Sequence, residues 1–157
     1  DPSQQLPRLD SQQTIDVVEG AEYLFNNEYE ATLIEQRTGW SADEVLDHVG
    51  IRITTMGNKG ARITSRDGLD ISVPVAQEKS IKDPTGVGDA FRAGFLTGLG
   101  WGLTPQRCAE VGSLLATYVI ETIGTQEYLL DKTEFISRLE AAYGSECAQD
   151  VASHLGK

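Results

Sequence analysis

Residues 83–89 read Asp83-Pro84-Thr85-Gly86-Val87-Gly88-Asp89, two acids bracketing a glycine turn, with the apolar run Ala90-Phe91-Arg92-Ala93-Gly94-Phe95-Leu96 directly behind it. Gly86 and Gly88 permit a tight turn with bare N–H groups, and the helix predicted from Val87 adds unpaired first-turn donors and the positive end of its dipole. Such a turn suits an anion, above all a phosphoryl group. Asp89 falls in the first helical turn, where its carboxylate could accept the proton of a hydroxyl attacking a phosphoryl group held alongside. The same spacing also serves a plain helix start, because Gly-x-Gly before a helix is common in α/β proteins and a first-turn Asp complements the dipole.

Two further loops carry polar residues at suggestive spacing. Asn27 and Glu30 lie three apart and share one face of the helix they open. An amide and a carboxylate so placed could orient water around Mg²⁺ on ATP, since Mg²⁺ keeps much of its hydration shell; the same pair is equally a helix N-cap with a first-turn acid. Thr55-Met56-Gly57-Asn58-Lys59-Gly60 offers a hydroxyl and open backbone that could line nucleotide phosphates, or form a simple turn.

Alternating elements must position these loops. Periodicity predicts a short helix near residues 11–20, a strand at Tyr23-Leu24-Phe25, a helix from about Glu28 to Arg37 stopped by Gly39, and a second opened by the capping box Ser41-Ala42-Asp43-Glu44. Ile51–Thr55 is the next strand. Asp67-Gly68 is a two-residue turn pair between Ala61–Arg66 and Leu69–Val75, predicting a β-hairpin. Helices follow from about Val87 to Leu99, from Pro105 to Ile123 behind a Thr104 cap, from Asp131 to about Tyr143, and over Glu146–His154. The order implies a doubly wound α/β fold, a mainly parallel sheet between helical layers with a β-hairpin extension. Ligands of such sheets bind at the carboxyl ends of strands, which would bring Asn26-Asn27, Thr55-Met56-Gly57 and Lys82-Asp83 to one rim.

The 157 residues suffice for one domain with a real core, expected to span the whole chain. A formal net charge of −11 argues against sequence-independent nucleic-acid binding and against an anionic membrane surface. A polyanion such as ATP would need a local site of amides and a metal ion. Cys108 and Cys147 have no metal-ligand spacing and are expected to be free thiols; His48 and His154 are assigned to structure. No stretch approaches the roughly 18 apolar residues of a membrane span, and the expected compartment is the cytoplasm. Asp1-Pro2-Ser3-Gln4-Gln5 reads like the end of a strand entering a loop, as though the chain were a piece of something longer.

Asn-x-x-Glu, then Thr-x-Gly-x-x-Gly, then Asp-x-Thr-Gly-x-Gly-Asp, in this order, resembles the C-terminal half of the ribokinase/PfkB family of ATP-dependent carbohydrate and nucleoside kinases. Gly124-Thr125-Gln126 resembles the stretch after which that family's nucleotide pocket closes. Within the family, Asp1–Leu6 and Asp83–Leu96 resemble the adenosine kinases of actinobacteria.

The resemblance implies a ribokinase-like α/β/α sandwich and phosphoryl transfer from ATP to the 5′-hydroxyl of adenosine, giving AMP and ADP in purine salvage. It makes Asp89 the catalytic base and the amides of Gly86, Val87 and Gly88 the anion hole. Asn27 and Glu30 would position Mg²⁺–ATP through water, Thr55, Gly57 and Gly60 would line the ATP site, and Gln4 and Gln5 would contact the nucleoside. Asp83 and the Thr85 carbonyl match positions that hold a monovalent cation such as K⁺ in some relatives. Val87 stands where many members have Ala, a departure that touches the packing of the anion hole but not its amides. The resemblance also implies a second half ahead of residue 1, carrying a lid, most of the acceptor pocket and a homodimer contact, so these residues alone are expected to bind nucleotide weakly and not turn over. A PfkB-type sugar kinase acting on ribose or fructose, and a non-catalytic nucleotide-binding module, are the alternatives.

Overall fold

Reciprocal side-chain caps start the first helices of the chain. Asp10 with Gln13 opens α1 (Ser11–Val18), Asn27 with Glu30 opens α2 (Glu28–Thr38), and Ser41 with Glu44 opens α3 (Ala42–His48). In each, the cap side chain takes the N–H three residues on, and that residue's side chain takes the cap's own N–H. Gly39, in the left-handed conformation, ends α2 as expected. A computed structural model describes residues 1–155.

Strands β1 (Ala21–Asn27) and β2 (Val49–Thr55) pair in parallel, with Asn27 opposite Thr55 at their carboxyl ends. β2 pairs antiparallel with β3 (Ala61–Ser65), and β4 (Asp70–Val73) completes a mixed sheet of order β1-β2-β3-β4. The β3–β4 hairpin forms where expected, but its turn is longer than two residues. The Gly68 N–H bonds the Ser65 carbonyl and the Ser65 N–H bonds Leu69, so Arg66-Asp67-Gly68 makes the bend with Gly68 at positive φ.

Residues group into two compact units, Asp1–Ser72 and Val73–Lys157. The core of the first is Leu6, Val18, Leu24, Ile34 and Val45, all fully buried. Leu6 belongs to a 3₁₀ turn over Ser3–Arg8, so the start of the chain is not the strand end anticipated; burying Leu6 requires the chain to curl there. In the second unit α5 (Pro105–Ile120), α6 (Lys132–Tyr143) and α7 (Ser145–Ala152) pack around Val111, Leu114, Phe135, Leu139 and Val151, and α4 (Val87–Gly100) lies against α5. α4 and α5 touch through glycines: a Cβ on Gly94 would stand 2.6 Å from the Gly112 Cα.

Two expectations need correction in this unit. α5 ends at Ile120, not Ile123, because the chain tightens after it, with Thr122 N–H reaching back only to Val119. The Ile120 carbonyl instead accepts the N–H of Lys82 and of Asp83, at 2.8 and 3.3 Å. Lys82-Asp83 accordingly follows no strand; residues 74–86 form no regular element and are held by such bonds to α5.

His48 stacks on Trp40 and shares a 2.7 Å contact with Glu19, and His154 stacks on Trp101. Cys108 and Cys147 are buried free thiols, pushed up to about 11 and about 12 by burial. No helix among the described residues is long and apolar enough to cross a membrane.

Candidate active site

In the first unit Asn27, Glu30, Thr55, Gly57 and Gly60 gather at the carboxyl ends of β1 and β2, whereas Gln4 and Gln5 lie apart on the 3₁₀ turn. Asn26, expected at this rim but given no role of its own, builds it. It is buried, donates from Nδ2 to the Asn27 carbonyl and Thr54 Oγ1 (both 3.1 Å), and accepts from Arg52 Nε. Arg52, buried too, also donates to Glu35 Oε1 at 3.1 Å. A buried guanidinium needs such partners, and here they pin β1 to β2 just where both strands end.

Asn27 and Glu30 meet as a capping box. Asn27 Oδ1 takes the Glu30 N–H and Glu30 Oε2 takes the Asn27 N–H, each at 2.8 Å. The bond uses Oε2 of Glu30, which leaves Oε1 for a metal-bound water, so the carboxylate fits an outer-sphere role toward hydrated Mg²⁺. Thr55, directly across from Asn27, leads into the loop Met56–Gly60. That loop closes on itself through Met56 N–H to Gly60 carbonyl (2.8 Å), with Gly57 and Gly60 both at positive φ. Lys59 Nζ reaches Glu28 Oε1 at 3.4 Å, linking the loop to the start of α2. Gln4 and Gln5 are exposed on the 3₁₀ turn above Leu6.

In the second unit the glycine turn has the predicted shape. Gly86 takes φ +82° and caps α4, Val87 begins the helix, and the first intrahelical bond runs from the Ala90 N–H to the Gly86 carbonyl. Gly88 and Asp89 precede that bond, so the helix offers their N–H groups no carbonyl. The Val87 N–H already donates to the Pro84 carbonyl, at a long 3.4 Å. Asp89 stands exposed one residue past the turn, and its Oδ1 accepts from the Arg92 guanidinium. Arg92 is a functional candidate that sequence reasoning left without a role; its i, i+3 spacing from Asp89 was the available signal.

Asp83 braces the turn. Its Oδ1 accepts the Thr85 N–H (2.9 Å) and its Oδ2 the Gly124 N–H (3.4 Å). Hydrogen bonds from the Thr85 hydroxyl and N–H, then from Gly124, hold this carboxyl below the usual carboxylate range. Thr125 lies against Gly86, where a Cβ would come within 2.9 Å of its Cγ2. Residues 124–125 thus back the turn. The Asp83 carboxylate is ionised and bonded to the Thr85 N–H; among the described residues no group of three or more His, Cys, Asp or Glu side chains is placed to hold a metal.

The family model for pfkB family carbohydrate kinases matches residues 1–132. The chain belongs to the PfkB family. A nucleoside kinase of Methanocaldococcus jannaschii is 32% identical over 140 residues, covering 89% of this chain and 46% of that protein. Its solved structure, described as an archaeal member of the ribokinase family, has a TM-score of 0.84 at 32% identity, over 90% of this chain and 47% of that one. The nucleoside kinase of Burkholderia thailandensis, solved in complex with ADP-inosine, has a TM-score of 0.87 at 38% identity, over 92% of this chain and 45% of that one. Adenosine kinase 1 of Arabidopsis thaliana is 29% identical over 119 residues, covering 66% of this chain and 34% of the plant protein. The PfkB chain has the ribokinase-like α/β fold, and it spans about half the length of the curated relatives it matches.

Proposed function

We propose that the complete polypeptide containing these residues transfers the γ-phosphoryl group of ATP to the 5′-hydroxyl of a nucleoside, adenosine foremost, giving AMP and ADP. On this reading residues 1–157 are the ATP-side half. The observation that carries it is Asp89, an exposed carboxylate one residue past a positive-φ glycine turn at a helix start. A module that only bound nucleotide would need the turn but no proton acceptor beside it.

In the reaction the acceptor hydroxyl gives its proton to Asp89 as its oxygen bonds to phosphorus. The bond from phosphorus to the bridging oxygen of ADP breaks, and ADP keeps the electron pair. The N–H groups of Gly86, Val87 and Gly88 receive the charge of the phosphoryl oxygens; Gly88 is the best placed, since the Val87 N–H must leave Pro84 to take part. Thr55, Gly57 and Gly60 line the nucleotide, and Gln4 and Gln5 touch the nucleoside. Asn27 and Glu30 would orient hydrated Mg²⁺, which supplies charge neutralisation on the phosphates; Asp83 and the Thr85 carbonyl would hold K⁺ behind the turn. The two free thiols support a reducing, cytoplasmic setting.

The nucleoside acceptor is supported by the similarity to the nucleoside kinases of Methanocaldococcus and Burkholderia, and adenosine by that to adenosine kinase 1 of Arabidopsis. The test is transfer of label from γ-labelled ATP by the complete polypeptide to adenosine, inosine, ribose and fructose in parallel. Adenosine should give labelled AMP at the highest kcat/KM. Preference for a free sugar would overturn the nucleoside assignment while leaving the kinase chemistry.

A further inference from the structure

We infer that Arg92 is the positioning residue for Asp89 during phosphoryl transfer, an inference that rests on the reading of Asp89 as the base. The two side chains sit three residues apart on α4, and the Arg92 guanidinium donates to Asp89 Oδ1. Their exposure is unequal: the Asp89 side chain is 78% exposed, that of Arg92 only 25%. An open carboxylate samples its rotamers freely, whereas an arginine side chain three-quarters covered is held by what surrounds it. The covered partner therefore sets the direction of the exposed one.

A second observation places the same guanidinium at the anion cradle. Arg92 Nη1 lies 3.9 Å from where a Cβ on Gly88 would stand. Arg92 thus spans from the backbone of the turn to the carboxylate that follows it, a fixed fork suited to orienting one carboxylate oxygen. In the transfer step Arg92 forms no covalent bond and keeps its protons. It retains Oδ1 of Asp89, leaving Oδ2 for the hydroxyl proton, while the new O–P bond forms and the bond to ADP breaks. In a chain of net charge −11 it also sets one positive charge beside the turn that must receive a polyanion. An ion pair with its carboxylate 78% exposed contributes little to folding, so the positioning role is read in turnover.

The test compares R92Q, R92K, D89N and the D89N/R92Q double variant in the complete polypeptide, with kcat, both KM values and the unfolding midpoint measured for each. R92Q should lower kcat by about 10- to 100-fold, the scale of a misaligned catalytic group, with both KM values and the midpoint unchanged. R92K, which keeps the charge but not the planar fork, should recover part of the loss. The double variant should be no slower than D89N, because there is then no carboxylate to direct. Wild-type kcat in R92Q, a loss carried by KM alone, or a double variant slowed by the full R92Q factor overturns the inference. D89N at wild-type turnover would instead remove the base assignment itself, a result distinct from an inactive D89N beside a fully active R92Q.

Discussion

Asp83 and Gly124, 41 positions apart, are joined by a hydrogen bond from the Gly124 N–H to Asp83 Oδ2. The other oxygen of the same carboxylate holds the Thr85 N–H. One ionised side chain thus fixes both the entry to the glycine turn and the loop that backs it, and the turn's shape depends on that charge.

The dependence has a sign. Hydrogen bonds from Thr85, then Gly124, hold the Asp83 carboxyl below its ordinary 3.8 in the folded state. Its contribution is present above the unfolded value and is lost as pH falls through the lower folded one. Urea midpoints should therefore drop on acidification below about pH 4, and D83N should show a shallower drop over the same range. Identical slopes would take Asp83 out of the turn's stability.

Gly86 is required twice, by φ +82° and by Thr125, whose Cγ2 would lie 2.9 Å from a new Cβ. G86A should cost about 1–2 kcal/mol from the left-handed conformation alone. It should also weaken nucleotide binding, because the turn must shift; chemical denaturation and calorimetric titration of ATP read the two effects separately.

Two glycines of the helices call for opposite outcomes. A Cβ on Gly112 would meet the Phe91 carbonyl at 2.5 Å, so G112A should destabilise by about 1–3 kcal/mol despite the better helix propensity of alanine. A Cβ on Gly100 would meet no neighbouring side chain or element within 4 Å among the described residues, and G100A should be neutral or stabilise by up to about 1 kcal/mol. Thermal unfolding of the pair checks whether the α4–α5 contact, not propensity, governs.

Asn27 and Glu30 can be separated into cap and ligand roles. N27A removes the cap and should cost about 1 kcal/mol. E30Q keeps it, since Gln serves at that position, yet it removes the charge that would orient metal-bound water. Stability of E30Q should match the wild type while activity at limiting Mg²⁺ falls about 10- to 100-fold. Equal activity would reduce the pair to a helix cap.

Local signals were the legible ones. Ser41 with Glu44, Thr104 before Pro105, Gly39 after α2 and the glycine turn at 86–88 each announce a structure that forms within a few residues, and each forms. Asn27 and Glu30 were correctly placed on one face, but both readings of the pair survive, since the capping box is present and leaves Oε1 unused by it. What escaped depends on distant partners. The end of α5 at Ile120 is tied to Lys82 and Asp83, and the curl at Leu6 to a core assembled from α1, α2, α3 and both parallel strands. Arg52 in a strand signals nothing until the register brings Leu24 opposite it and Asn26 and Glu35 within reach.

The central claim is that Asp89 accepts the proton of the attacking hydroxyl, and Asp89→Asn in the complete polypeptide tests it most directly. Turnover with adenosine and ATP should fall about 10²–10⁴-fold while ATP binding, measured by calorimetry, stays at the wild-type affinity. Turnover at the wild-type rate, with the substitution verified, would contradict the assignment and leave the glycine turn a binding element only.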